Sequence, residues 1–212
     1  MKQDMKTMNF LHNQFAGNYQ SLDYLLYLIA YYSAPVLEAH KPAVTLNFGS
    51  EIGRRLNEIW TNHHDEIPCS VNFRFYELRR TPEQSIVLFY NPDLLQNVLQ
   101  EKPTNQFLIR CGYREELTLE TALADLKERF SGGCPHEIGV FLGIPLPDVL
   151  SFIDNKGKKA LIDGYWKVYH DPGPKLALFE RYHEAKRCFL HMMMEGKRPG
   201  DYFTDKLIIC TE

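Results

Sequence analysis

Apolar residues in this chain recur in two rhythms, and each rhythm predicts an element. The clearest helical stripe is Thr118, Leu119, Ala122, Leu123, Leu126 and Phe130, which Gly132-Gly133 brings to an end. Strict alternation follows the other rule. Val71, Phe73 and Phe75 point one way while Asn72, Arg74 and Tyr76 point the other, as in a half-buried strand. After a turn over Arg79 to Glu83, Ile86 to Tyr90 is apolar at every position, so this strand is expected at the centre of a sheet, covered on both faces.

The remaining elements follow from the same periods. Ser21 or Asp23 caps a helix that runs to about Ser33 and is expected to stop at Pro35. Val44 to Phe48 has strand character, and Ser50, Ile52, Leu56, Ile59 and Trp60 mark a helix. Pro92-Asp93 opens a helix to about Gln100, Tyr165 to Tyr169 reads as a strand, and Leu176, Phe179, Tyr182, Phe189 and Met193 mark a long final helix. The expected class is α+β. A roughly four-stranded antiparallel or mixed sheet covered by helices fits the order, as an elaborated ferredoxin-like layout. Residues 1–20 are a polar leader expected to be mobile, and 21–212 one domain with no linker-like stretch.

Two short helices are predicted in succession. Ile138, Phe141 and Leu142 share a face between Pro135 and Gly143, and Leu146, Val149, Leu150 and Ile153 share one from about Pro147. Both faces should enter a common core. The pattern is that of a helix-turn-helix, so a DNA-binding regulator is one function to weigh. Against it, the second helix opens on Pro145, Leu146, Pro147 and Asp148, which offer no donors to bases and a charge that repels phosphate. No specific nucleic-acid partner is expected.

The stretch HEIGVFLGIPLPDVLSFIDNKG, together with GYWKVY, resembles the signature of an uncharacterised bacterial family, a domain of unknown function found largely in anaerobic gut bacteria. The resemblance extends to SAPVLEAHKPAVTLNF and VNFRFYELRRTPEQSIVLFYNP, and so covers about residues 22 to 190. The family more often carries cysteine where this chain has Ser33, an aromatic residue where it has Cys134 and tyrosine where it has Ile144. Such substitutability argues against a thiol mechanism at either cysteine position. The family has no assigned activity, cofactor or catalytic residue to carry over.

Composition narrows the classes. The apolar run from Tyr24 to Leu37 is broken by Ser33 and Pro35 and falls short of the ~20 residues of a bilayer span, so it is read as a buried helix with no membrane partner. Five widely spaced cysteines without a CxxC pair indicate reduced thiols and a cytoplasmic location. The net charge of −3 leaves no general footprint for nucleic acid. From Lys156 to Arg198 there are ten Lys or Arg against five Asp or Glu, but the signs are interspersed, as on a solvated helix face.

Candidate chemistry is sparse. Cys134 and His136 stand at an expected helix start, where the dipole and an imidazolium favour thiolate, so a thiol-dependent enzyme is an alternative. Otherwise Cys134 is a small turn residue, with His136 and Glu137 capping the helix. No metal site is assigned, because His63, His64, Asp65 and Glu66 are sequence neighbours that diverge on a helix. No phosphate loop or dinucleotide motif is present, and no cofactor is identified. Alternation places Tyr165, Lys167 and Tyr169 on one face, expected to border a groove, with Trp166 and Val168 in the core. Lys167 is expected to reach water or an acid such as Glu137. These readings favour a non-catalytic binding or accessory module for a small molecule or protein.

Overall fold

Strand β3 (Ser85–Tyr90) is the middle of a three-stranded sheet, with β1 (Ala43–Asn47) on one side and β2 (Arg74–Arg80) on the other. Both pairings are antiparallel. The computed structural model describes residues 21–49 and 51–209, and the side chains of these except for residues 51–55 and 205–209. The leader to Gln20 and Cys210 lie outside the described residues.

The apolar run in β3 faces two cores. Val87 and Phe89 join Phe73, Trp60 and Phe48 on one face, while Leu88 and Tyr90 join Leu78, Leu123 and Phe141 on the other. Over the first face lie α1 (Leu22–Leu37), α2 (Glu51–His63), α8 (Pro172–Met194) and α9 (Pro199–Ile209). Over the second lie α3 (Pro92–Gln100), α4 (Lys102–Arg110), α5 (Leu119–Arg129), α6 (Ile138–Phe141) and α7 (Leu146–Asp154). The α+β class therefore holds, as a sheet between two helical layers.

The sheet has three strands rather than four, so the ferredoxin-like layout is left incomplete. The order β1-β3-β2 with antiparallel neighbours is the one that layout gives its first three strands, but no fourth strand joins the sheet beside β1 among the described residues. The segment expected to supply a fourth strand makes its own ribbon: β5 (Lys167–Val168) pairs with β4 (Ile162–Asp163), Ile162 opposite Val168 and Asp163 opposite Lys167. Pairing with the segment just upstream closes a very short loop, whereas joining the sheet would demand a longer closure.

Helix α1 does not stop at Pro35. It continues to Leu37, because Ser33, Ala34 and Val36 are fully buried and their packing outweighs one lost hydrogen bond. The Pro35 carbonyl accepts from the N–H groups of His40 and Lys41, which folds the chain back towards β1. Helices α4 and α9, each opening on a proline in the first turn or at its start, were not anticipated from periodicity.

Candidate functional site

The α6–α7 pair begins later than its first proline suggests. Pro135, His136 and Glu137 form a turn, and the regular helix starts at Ile138. Gly143 joins the two helices at φ 75°, a left-handed conformation that glycine adopts readily. A Cβ on Gly139 would stand 2.9 Å from Val149 Cγ2, so the missing side chain is what lets α6 close onto α7. Phe141 and Val149 are buried in that contact, but Leu150 is 41% exposed, contrary to the face assigned to it. The covered side of α7 is the one that carries Asp148 and Val149, and Leu150 falls outside it.

Asp148 holds the hairpin to the β4–β5 ribbon. It is 1% exposed, and its carboxylate accepts from the indole Nε1 of Trp166 at 2.9 Å and from the backbone N–H groups of Tyr169 and His170 at 2.9 and 3.1 Å. The first turn of the would-be recognition helix thus lies under the ribbon. Trp166 also meets Phe179 of α8 edge-on at 4.5 Å, and Val168 is fully buried beside them. This clamp was not foreseen. Its signals were an acid in a helix first turn and a tryptophan whose indole N–H needs an acceptor when buried.

Between hairpin and ribbon is a cavity of about 400 Å³. Its wall is apolar, formed by Ile138, Leu142, Ile144, Val149, Phe152 and Trp166. Cys134, His136, Tyr165 and Lys167, which belong to the two segments singled out by sequence, all line it as well. Glu137 and Tyr169 do not. Glu137 is buried and ion-paired with Arg129 on α5, while the Tyr169 hydroxyl is buried with no hydrogen-bond partner among the described residues. Strand β5 is only two residues long, so alternation does not carry through to Tyr169.

Individual roles also differ from expectation. Lys167 is half-buried and donates to Asp163 Oδ2 at 2.6 Å, so its acidic partner is Asp163 and not Glu137. That hydrogen bond raises the lysine pKa. The Cys134 thiol is exposed, yet partial desolvation and the nearby Glu137 carboxylate both push its pKa up, opposite to the thiolate-favouring direction. Its residue precedes the helix by several positions, so the dipole does little for it. His136 packs edge-on against Phe152 at 5.7 Å, and neither it nor Glu137 caps the helix by a side-chain hydrogen bond.

Among the described residues no group of three or more His, Cys, Asp or Glu side chains could hold a metal ion, and no helix is long and apolar enough to cross a membrane. Cys69, Cys111, Cys134 and Cys188 form no disulfide among the described residues.

With an α+β fold and a hairpin-to-ribbon cavity in place, comparison with known proteins supplies a family. Residues 29–201 match the family described as Protein of unknown function (DUF3793), and this chain belongs to it. The match bears out the resemblance to a domain of unknown function. No curated protein and no solved structure matches.

Proposed function

We propose that this chain is a non-catalytic binding or accessory module whose ligand is a small, largely apolar molecule seated between the α6–α7 hairpin and the β4–β5 ribbon. The observation that carries this reading is convergence: segments about 30 residues apart, around Cys134 and around Tyr165, meet at one apolar-walled cavity of about 400 Å³ with His136, Lys167 and Asp163 among its lining. A few polar groups in an otherwise apolar lining orient a ligand while burial supplies the affinity. A thiol-dependent reaction has less support, since the surroundings of Cys134 disfavour its thiolate. Specific nucleic acid has no place in this reading, because Asp148 and its partners occupy the first turn of α7. A bacterial, cytoplasmic protein is part of the same reading, supported by thiols that form no disulfides among the described residues.

The test is saturable binding of a neutral apolar dye, Nile red, followed by its fluorescence. Cys134→Trp changes an exposed residue at the cavity, so the fold should survive and the indole should obstruct entry. Dye affinity weakened by about tenfold or more supports the reading. Saturable binding that is indifferent to the substitution, or no saturable binding in the parent chain, overturns it.

A further inference from the structure

A second cavity, of about 280 Å³, lies on the far side of Tyr165 and Leu142, which line both spaces. It is walled by Tyr32, Lys41, Val44, Leu46 and Lys186. Two lysines at one small pocket, drawn from the turn before β1 and from α8, are the unusual feature. Lys41 is only 8% exposed, and neither lysine forms an ion pair with a carboxylate among the described residues.

What surrounds the two ammonium groups is aromatic. Lys41 Nζ stands 5.8 Å from the ring centre of Tyr165 and 5.4 Å from that of Tyr182. Lys186 Nζ stands 5.1, 5.4 and 4.9 Å from those of Tyr31, Tyr32 and Tyr165. Ring faces attract a cation but do not neutralise its charge. Burying a charge without a counter-ion is costly, and each ammonium keeps donors that a ring face cannot saturate. The two lysines also repel each other, and burial brings both down to about 8. A fold gains nothing in stability from such a pair, whereas an anion would satisfy both members at once.

We propose that this pocket is an anion-binding site for a small organic acid or phosphate, with Lys41 and Lys186 as the paired cationic contacts and Tyr32 and Tyr165 as the walls that hold the ligand's body. The size suits a ligand at the small end of those that protein pockets enclose. Tyr165 and Leu142 place it against the first cavity, but the site does not depend on anything binding there. Its lysines line only the second space, and Cys134 lines only the first.

Two probes distinguish the sources of such an anion, inorganic phosphate for a phosphoryl group and benzoate for a carboxylate on an aromatic body. Calorimetric titration of the intact chain at about pH 7 should show saturable one-site binding of at least one probe at concentrations below about 10 mM, and the tighter probe identifies the head group. Lys41→Met and Lys186→Met should each weaken it about tenfold or more. A second measurement needs no variant. Raising the pH to about 9.5 should weaken binding in the parent chain by about tenfold or more, because both ammonium groups lose their protons in that interval. Tyr31, Tyr32, Tyr165 and Tyr182 face them too, with His183 and Glu180 near Tyr165, so the loss is assigned to the lysines by its shrinking in Lys41→Met and Lys186→Met. Burial keeps Tyr165 and Tyr182 protonated well above this range. No saturable binding of either probe, or binding unchanged by both substitutions and by pH, overturns the proposal.

Discussion

The Asp148 carboxylate accepts the indole N–H of Trp166 at 2.9 Å with both groups buried, and its other oxygen takes two backbone N–H groups of the same ribbon. One side chain therefore ties α7 to β5 across 18 residues of sequence. Asp148→Ala should cost about 2 to 4 kcal/mol, since the buried indole N–H and two part-buried backbone N–H groups lose their acceptor together. Trp166→Phe strands only one oxygen of the carboxylate, and a double-mutant cycle should return a coupling of about 1.5 to 3 kcal/mol. Urea denaturation measures both. Additive single losses would mean that the contact contributes nothing to stability.

Phe141 and Leu150 give a second contrast within the hairpin. Phe141 is fully buried against Tyr113, so Phe141→Ala should lower stability by about 3 to 5 kcal/mol. Leu150 is 41% exposed, and Leu150→Ala should cost less than about 1 kcal/mol. Comparable shifts in the urea midpoints would show that the hairpin packs with both residues inward.

This contrast also marks where sequence reading stops. Ile86 to Tyr90 announced a central strand because burial on both faces leaves no polar position, and it is central. The two short helices are legible from their prolines and Gly143, but which of Val149 and Leu150 points inward goes with the burial of Asp148 against Trp166, a contact across 18 residues that periodicity does not signal. Alternation puts Tyr165 and Lys167 on one face, and both line the first cavity, whereas Tyr169 lies past a strand only two residues long and does not. Lys41 and Lys186 could not have been paired from sequence. Nothing in either neighbourhood signals the other, and only the packing of α8 against α1 brings them together.

Glu137 is buried and its ion pair with Arg129 stands over the ring of Tyr113. Arg129→Met leaves that carboxylate buried without its partner, and should cost about 2 to 4 kcal/mol, towards the low end for a broken buried pair because Arg129 is about a third exposed. Replacing both residues, as Arg129→Met with Glu137→Leu, should restore much of the loss. Thermal or urea unfolding of the three variants decides it, and a double variant as unstable as the sum of the singles speaks against the pair.

Cys134 should titrate above the ~8.5 of a free thiol, because desolvation and Glu137 both favour its protonated form. Its alkylation rate by iodoacetamide, followed by peptide mass analysis so that Cys69 and Cys188 are read separately, should rise only at alkaline pH. His136→Ala should leave that profile in place, since the His136 ring is engaged with Phe152. A midpoint below that of a free thiol, lost in the His136 variant, would instead make the case for a thiol-dependent enzyme.

The pH dependence of stability carries the sign of Lys41. In the folded chain burial lowers its pKa to about 8, with Lys186 adding repulsion, while in the unfolded chain it titrates near the ordinary ~10.4. Between those values the unfolded chain binds more protons, so the Lys41 contribution to stability improves as pH rises through that window. Below about pH 8 both states are protonated and the full cost of burying the charge remains. Lys41→Met removes that cost, so it should stabilise the protein at pH 7 by up to ~3 kcal/mol, an advantage that shrinks as pH approaches 10.5. Tyr182, raised to about 12 by burial, acts in the opposite sense above pH ~10, when the unfolded chain begins to lose tyrosine protons that the fold retains. Because both proteins share that effect, the difference between their urea midpoints isolates the lysine. A methionine variant less stable than the parent at pH 7, or a difference that stays constant from pH 7 to pH 10, would mean that Lys41 does not carry an uncompensated charge in the fold.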